Sequence, residues 1–297
     1  MDRLYTYKQF KNLKISLNYS GVIPKLFLRS THYPLNQLPS KLMDIYIQSL
    51  IDNPEYIMCY FDYDDHIDFI KNNFNYDNKF LNAYNTVISN AYKCDVWRLL
   101  ALYIYGGIYN DAGHIYTVSI NKFLNNTDEF ILVEEHEINI GIHNSFIITK
   151  PENPIILYIL NYIIDNRIKP YNIGCSHLDV TGPIITGTAL KSYYNNHLDN
   201  SKLNNYRPCS PNSRMKKREH IRFNIGIGNH IINNIKLRVV KLNHLNNHPC
   251  YYDTITDEND NIIIKPKFNG YYNLMYDDTV KLHYFKMWEK GIVYNMI

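Results

Sequence analysis

The stretch AYKCDVWRLLALYIYGGIYNDAGH, residues 91–114, decides the fold class of this chain. Apolar side chains recur along it with the 3.6-residue period of a helix that buries one face. They are Ala91, Cys94, Trp97, Leu100, Ala101 and Ile104. Gly106 and Gly107 end this helix, and the short apolar run that follows predicts a central strand. Asp111 would then lie where the carboxyl end of that strand opens on a ligand crevice.

The residues before this stretch predict the start of a parallel α/β sheet. A buried strand follows Ile23-Pro24, a helix covers Ser40–Ile51, and a strand at Tyr56–Phe61 runs into the acidic cluster Asp62–Asp65. Further elements are expected in chain order: a short helix between Asp65 and Phe80, strands at Glu129–Glu134 and Ser145–Thr149, a buried helix at Pro154–Asp165, irregular α+β structure from Tyr193, and a strand or docked tail at Val280–Trp288.

Length and composition are those of an ordinary globular chain. It has 297 residues, of which 45% are hydrophobic and 20% are charged, and no repeat or linker divides it, so we expect one domain over residues 1–297. The net charge of +3 is small and its basic residues are scattered, which does not suggest a nucleic-acid partner. One basic cluster, Arg214–Arg218, fits a solvated loop or a contact with a phosphate-bearing ligand or an anionic surface.

Three features indicate a cytoplasmic protein. The five cysteines are odd in number and widely spaced, which favours neither a disulfide framework nor a zinc site. Charged residues within Met1–Leu17 interrupt the apolar core that a signal peptide would need. No apolar run is long enough for a transmembrane segment. The abundant Asn, Ile, Tyr and Lys are typical of AT-rich genomes, so a large DNA virus is a candidate source, with host cytoplasm or virion as the location.

Asp95 and Arg98 are three residues apart near the start of the predicted helix, so both side chains project from one face. The helix dipole stabilises a carboxylate near the amino terminus, and an arginine can reach a phosphate or a sugar hydroxyl. The pair can therefore orient a polar ligand. Taken alone, the same spacing is more often a surface salt bridge.

The order of these residues adds a stronger argument. The run Cys94-Asp-Val-Trp-Arg98, an apolar helix, Tyr105-Gly-Gly-Ile-Tyr109 and then Asp111 resembles the (S/A)-D-x-x-R … Y-G-G-I-Y-x-D-x-D stretch of a glycosyltransferase family. This family, family 32-like, includes the yeast-type initiating mannosyltransferases and the sugar-transferase domains of large clostridial toxins. Other landmarks are similar and in the same order: Ile23-Pro-Lys, Leu38-Pro, Asn53-Pro-Glu-Tyr, Asp62-Tyr-Asp-Asp, Thr181-Gly-Pro and His283-x-x-x-x-Trp288.

The resemblance implies a GT-A-type fold, an α/β sandwich on an open, mostly parallel sheet flanked by helices. It also implies a nucleotide-sugar donor, a UDP- or GDP-sugar, bound with Mn²⁺ or Mg²⁺, and transfer of a hexose with retention to a glycan or protein hydroxyl. Residues of about 20–150 would form the donor-binding half. Residues of about 150–297 would form the acceptor side and the carboxyl-terminal closure.

The resemblance also assigns roles to individual residues. Asp95 would bind hydroxyls of the donor, Arg98 would steady its sugar, Tyr109 would lie beside it, and Asp111 takes the first position of the D-x-D motif. The expected catalytic residues are Asp95, Arg98 and Asp111. The expected donor-binding residues are Arg29, Asp95, Arg98, Tyr109, Asp111 and Asn144. Asn144 and Asp179 are weaker candidates for the acceptor side.

The sequence departs from the family pattern at the second D-x-D position, which is Gly113. Three interpretations remain open: His114 or a water replaces the lost ligand, a metal binds weakly through Asp111 and His283, or the protein has lost catalysis and only binds sugars. The expected metal ligands are therefore Asp111, His114 and His283. The spacing of His283 to Trp288 resembles that of the family's terminal His and Trp, which lie near the donor diphosphate. Packing against an apolar strand explains His283 equally well.

A second departure follows the first strand. The family has an aromatic residue after this strand, often Trp, that packs on the nucleotide base, and this chain has Arg29, Ser30 and Thr31 there. Stacking would then come from His32 or Tyr33, or the nucleotide is held differently. Besides an active transferase, the sequence allows a catalytically silent protein that binds a sugar nucleotide or glycan. A structural assembly protein would leave the ordered motif unexplained.

Overall fold

The computed structural model of the protein describes residues 2–13, 22–134, 141–168, 174, 176–197, 226–243, 254–265, 271–275 and 284–295. Within these ranges the strands are β1 (Leu4–Thr6), β2 (Leu26–Ser30), β3 (Ile57–Phe61), β4 (Gly107–Asn110), β5 (Ile115–Tyr116), β6 (Phe130–Glu134), β7 (Phe146–Thr149), β8 (Gly228–Ile232), β9 (Ile235–Asn243), β10 (Thr254–Thr256) and β11 (Ile262–Lys265). The α-helices are α1 (Tyr7–Phe10), α2 (Ser40–Ile51), α3 (Tyr63–Asn73), α4 (Asn78–Thr86), α5 (Asn90–Tyr105), α6 (Ile120–Phe123), α7 (Pro154–Asn166), α8 (Pro183–His197), α9 (Tyr271–Met275) and α10 (Tyr284–Glu289).

The described strands form one open sheet in the order β1-β3-β2-β4-β7-β6-β9-β10-β11-β5, with β8 paired to β9. β1, β3, β2 and β4 are parallel to one another, as the strand-helix-strand pattern predicts. Beyond β4, strand β7 is antiparallel to both β4 and β6, whereas β6 and β9 are again parallel. With helices on both faces, this arrangement confirms the predicted α/β fold class.

Two hydrophobic cores lie on opposite faces of the sheet. Successive side chains of a strand point to opposite faces, so Leu26 and Leu28 pack with α5 while Phe27 packs with α2. Helix α5 crosses the larger core against α4 and α7. Its middle is buried almost all round, and Trp97 has no exposed surface. The side chains that α5 carries at its start are therefore held by packing.

Helix α5 begins and ends as its sequence predicts. Ser89 caps its start by accepting a hydrogen bond from the N–H of Ala91 at 3.3 Å. Gly106 ends it with a φ of 61°, a conformation that L side chains rarely adopt. Strand β4 begins directly after Gly106, at Gly107.

Most predicted elements are confirmed, and three differ. Strand β1 was not expected, and it pairs in parallel with β3. Arg3 fixes this segment because its guanidinium donates to the carbonyls of Leu50, Asn53, Pro54 and Tyr56. The short helix predicted after Asp65 is instead two helices, α3 and α4.

The third difference lies in the last third of the chain. Residues 284–289 form helix α10, so the strand predicted for this segment is wrong there, whereas Tyr284 and Trp288 do pack against the larger core. Residues 280–283 and the basic cluster Arg214–Arg218 lie outside the described residues.

Two further expectations concern the cysteines and the membrane. Cys59 and Cys94 are buried free thiols, while Cys175, Cys209 and Cys250 fall in the undescribed ranges. Among the described helices, none combines the length and the apolar character needed to span a membrane.

Candidate functional site

Polar side chains meet at the edge of the sheet where β2 and β4 end. Leu28 and Tyr109 are the last paired residues of these parallel strands, and Ser30 and Asp111 each follow two residues later, on the face that carries Leu28 and Tyr109. The close approach of the two strands depends on Gly107, since a Cβ there would lie 2.5 Å from the carbonyl oxygen of Leu26. The carboxyl ends of β2 and β4 therefore lie close together, and Asp111 directly follows β4.

Helix α5 delivers Asp95 and Arg98 to the same edge from above the sheet. Both residues are buried, with 9% and 7% of their surfaces exposed, and Arg98 Nη2 lies 3.1 Å from Asp95 Oδ1. The spacing alone favours a surface salt bridge, but the burial excludes that interpretation. A buried pair of this kind is costly to desolvate, so its presence needs compensating hydrogen bonds.

Arg98 is the centre of these compensating contacts. Its Nη1 donates to the carbonyl oxygen of Asn144 at 2.5 Å and lies 3.8 Å from Asp111 Oδ1. The guanidinium also lies over the Tyr109 ring, 4.4 Å from its centroid. One planar cation thus connects both carboxylates and an aromatic ring, and its orientation is fixed.

Tyr109 and the backbone orient Asp111. The Tyr109 hydroxyl donates to Asp111 Oδ1 at 3.0 Å, and burial raises the pKa of Tyr109 despite the nearby Arg98, so the hydroxyl keeps its proton. The backbone N–H of Asp111 donates to the carbonyl oxygen of Ser145 at 2.9 Å. With 21% of its side chain exposed, Asp111 is the more accessible carboxylate of the pair that flanks Arg98.

Asp95 is held from a second direction by residues far along the chain. The Thr181 hydroxyl donates to Asp95 Oδ2 at 2.8 Å, and Asn144 Nδ2 donates to Oδ1 at 3.4 Å. Burial raises the pKa of Asp95, and Arg98 with these two donors opposes that shift. The amide oxygen of Asn144 is buried without a hydrogen-bond partner among the described residues.

Arg29 lies beneath the site and does not line it. It has no exposed surface, and its Nη1 donates to the carbonyl oxygen of Asp111 at 2.7 Å. Its guanidinium lies between the rings of Tyr46 and Tyr116, at 5.1 and 5.9 Å from their centroids. This burial leaves no surface for the donor contact predicted for Arg29, and its observed contacts hold the turn that carries Asp111.

The three expected metal ligands are only partly described. His114 is buried and close in the turn, since its N–H donates to the carbonyl oxygen of Asp111 at 3.1 Å, while His283 lies outside the described residues. Within the described ranges, no group of three or more His, Cys, Asp or Glu side chains could hold a metal ion. One carboxylate still fits Mg²⁺ or Mn²⁺, because such ions are often held by one or two carboxylates together with substrate phosphates and waters.

Several residues at this edge escaped the sequence interpretation. Strand β7 brings Ser145 beside Asp111 through a backbone hydrogen bond, and Glu134 at the end of β6 bridges to Ile142. His143 Nδ1 lies 2.5 Å from Ser145 Oγ, and burial raises the pKa of Glu134. The available signal is that Ser30 and Glu134 both end a buried strand, where ligand sites of open α/β sheets are found.

Comparison with known proteins finds similarity to glycosyltransferases. Residues 39–130 match a family described as "Glycosyltransferase sugar-binding region containing DXD motif", and the matched region includes Asp95, Arg98, Tyr109 and Asp111. No curated protein matches the chain. Among solved structures, the "PaToxG Glycosyltransferase" is similar with a TM-score of 0.44 and 20% identity, over 57% of this chain and 69% of that chain. Residues 39–130 are thus similar to a glycosyltransferase sugar-binding region, and they lie within an open α/β sheet flanked by helices.

Proposed function

We propose that this protein is a glycosyltransferase that moves a hexose from a UDP- or GDP-sugar to a hydroxyl of a glycan or protein, with retention of configuration. The observation that carries the proposal is the buried contact of Arg98 with both Asp95 and Asp111 at the sheet edge, within the matched region. Three charged groups are held there at the expense of desolvation. Such an arrangement is typical of a site that must stabilise developing charge.

Each charged residue then has a distinct task. Asp95, fixed by Thr181 and Asn144, accepts hydrogen bonds from donor hydroxyls. Arg98 presents a positive charge to the donor, which favours departure of the diphosphate. Tyr109 keeps Asp111 Oδ1 occupied and so directs the carboxylate.

Mn²⁺ or Mg²⁺ is part of the proposal, with Asp111 as its carboxylate ligand and His114 and His283 as the further candidates. A divalent ion at this position would neutralise the negative charge that builds on the leaving diphosphate. Gly113 offers no ligand, so phosphate oxygens and waters would complete the coordination. Arg29 serves this site indirectly, because it binds the carbonyl oxygen of Asp111 from beneath.

The second candidate function is a silent glycosyltransferase fold that binds a sugar nucleotide or glycan without turnover. The observation that favours it is again Gly113, which leaves one carboxylate where the motif has two. Thermal stabilisation by a nucleotide sugar, independent of metal and without nucleotide release, would distinguish this function from transfer.

The direct experiment measures nucleotide release from a panel of UDP- and GDP-sugars, with Mn²⁺, Mg²⁺ or EDTA. We expect release with at least one donor, and Asp111→Asn to lower kcat/KM by about a hundredfold, the order of loss seen when a transition-state contact is removed. Asp44→Asn, on the exposed face of α2, is the matched control and should leave the rate unchanged. No turnover with any donor, or full activity of Asp111→Asn, would contradict the transferase.

A further inference from the structure

A buried chain of hydrogen bonds runs from helix α4 through α3 to the end of β2. The Tyr84 hydroxyl lies 3.0 Å from His66 Nδ1, and His66 Nε2 lies 2.8 Å from Ser30 Oγ. The imidazole stacks on Trp97 with 4.3 Å between centroids and 6° between planes. His66 has no exposed surface, Tyr84 has 2% and Ser30 has 8%. None of these hydrogen bonds has a role in the transferase site as proposed above.

The direction of the protons along the chain follows from which groups have partners. Burial, reinforced by the charges of Arg98 and Lys93, holds the pKa of His66 well below its usual range, so the ring carries one N–H. The Tyr84 hydroxyl contacts only His66 Nδ1 among the described residues. If Nδ1 carried the proton, the Tyr84 proton would be buried without an acceptor, at a cost that folded proteins avoid. In the opposite direction the unpaired proton falls on Ser30, which is more exposed, at 8% against 2% for Tyr84. Tyr84 therefore donates to Nδ1.

This direction determines the state of Ser30. With Nδ1 as an acceptor, Nε2 carries the ring proton and donates it to Ser30 Oγ. The hydroxyl proton of Ser30 is then left to a further acceptor, and the described residues supply none. The hydroxyl is thus prepared as a hydrogen-bond donor.

The position of Ser30 shows where that proton is available. Ser30 ends β2, on the face that carries Leu28 and Tyr109, two residues past that pair, and Asp111 lies two residues past the same pair on the neighbouring strand. Neighbouring strands lie about 4.8 Å apart, so the hydroxyl is within reach of any ligand that Asp111 and Arg98 hold. Ser30 is 8% exposed, which leaves part of its surface open to a ligand.

We propose that Ser30 is a donor-binding residue whose hydroxyl donates a hydrogen bond to an oxygen of the sugar nucleotide, and that His66 and Tyr84 are the positioning residues that orient this proton. The inference rests on the proposed function, since it assumes a sugar nucleotide in the crevice. The acceptor is a ribose, base or phosphate oxygen. A ligand that offered an N–H or O–H donor at this point would meet no acceptor and would be disfavoured.

The test is nucleotide affinity measured by calorimetry with UDP and GDP, and then with the nucleoside monophosphate and nucleoside of whichever binds. Ser30→Ala should raise Kd by about three- to tenfold, the usual loss for one hydrogen bond to a ligand. Tyr84→Phe should raise Kd by less, because His66 Nε2 can then accept the Ser30 proton. In turnover, both variants should raise the donor KM with kcat unchanged.

A remote hydroxyl pair provides matched controls. Tyr158 and Ser192 form a hydrogen bond of 2.8 Å between α7 and α8, so Tyr158→Phe and Ser192→Ala remove similar groups away from the site. These controls should change thermal stability as the test variants do and leave Kd as in the wild type. Equal weakening of monophosphate and diphosphate would place the contact on the nucleoside monophosphate part, and weakening of the diphosphate alone would place it on the second phosphate.

Two negative results have different meanings. If the wild-type protein binds no nucleotide or sugar nucleotide, the proposed function fails and the inference fails with it. If nucleotide binds and Ser30→Ala has the wild-type Kd, the Ser30 contact is wrong while the transferase stands. A Tyr84→Phe effect larger than that of Ser30→Ala would contradict the assigned proton direction.

Discussion

At the scale of single residues, Arg98 holds the other polar groups of the candidate site in place. Its guanidinium contacts Asp95, Asp111 and the carbonyl oxygen of Asn144, which come from three separate elements. A lysine keeps the charge but cannot make these contacts together, because its ammonium lacks the planar fork. We expect Arg98→Lys to lower kcat/KM by about a hundredfold and to lower the melting temperature.

Arg238 is the matched control for this prediction. It is buried between Asp128 and Glu258 at 3.1 and 3.0 Å, in a setting similar to that of Arg98 but built on β9. Arg238→Lys should lower the melting temperature without changing kcat/KM. An equal loss of activity in both variants would mean that Arg98 acts only through stability.

Asp65 is a residue whose charge works against folding. Burial, with Asp62 nearby, raises its pKa to about 6, and its Oδ1 is buried without a hydrogen-bond partner among the described residues. The folded state therefore holds this proton up to a higher pH than the unfolded chain. Stability contributed by the protonated form is present at low pH and is lost as the pH rises from about 4 to about 6.

Asp65→Asn should remove this pH dependence. We expect the variant to be more stable than the wild type at pH 7 by roughly 1–3 kcal/mol, with the difference shrinking as the pH falls toward 4. The capping contact with the N–H of Asp62 can persist because an amide oxygen also accepts. Urea unfolding of both proteins at pH 4.5, 6 and 7.5 measures the difference. A constant difference across this range would refute the raised pKa.

At the scale of elements, helices were easier to predict than contacts between elements. The 3.6-residue period and the terminal residues predict α2 and α5 closely, because those signals are local. Strand β1 has three half-buried residues and no alternation that could reveal it, and Arg3 docks it through carbonyls about fifty residues away. Such a segment depends on its partners more than on its own pattern.

The residues of the candidate site also fall into those with a local sequence signal and those brought in by contacts between elements. Asp95, Arg98, Tyr109 and Asp111 lie within one short stretch, so their order could be interpreted from sequence. Thr181 reaches Asp95 from 86 residues away, and only strand pairing brings Ser145 beside Asp111. The burial of Arg29 also follows from strand pairing, which a single sequence does not define.

The junction of α5 and β4 gives an element-scale prediction. Gly107 has a φ of 88°, and a Cβ there would meet the backbone of Leu26 at 2.5 Å. Gly228 also has a positive φ, 117°, but a Cβ there would meet nothing within 4 Å. We expect Gly228→Ala to cost about 1–3 kcal/mol from backbone strain alone and Gly107→Ala to cost more. Urea unfolding compares them, and equal costs would show that β2 yields to the new side chain.

At the scale of the whole molecule, the last described residues pack against the connection between α4 and α5. Ile88 N–H donates to the carbonyl oxygen of Val293 at 3.0 Å, and Asn295 N–H donates to that of Thr86 at 2.8 Å. This contact covers the connection between α4 and α5, directly before the Ser89 cap. The segment therefore stabilises the start of the helix that carries Asp95.

Two neighbouring residues of this segment test how much stability it provides. Val293 has no exposed surface and belongs to the larger core, whereas Ile292 is 45% exposed. Val293→Asp places an unpaired carboxylate in that core and should lower the free energy of unfolding by about 3 kcal/mol or more. Ile292→Asp adds the same charge one residue earlier and should change it by only about 0.5 kcal/mol. Equal, small effects of the two changes in urea unfolding would show that residues 292–295 separate from the core without loss of its stability.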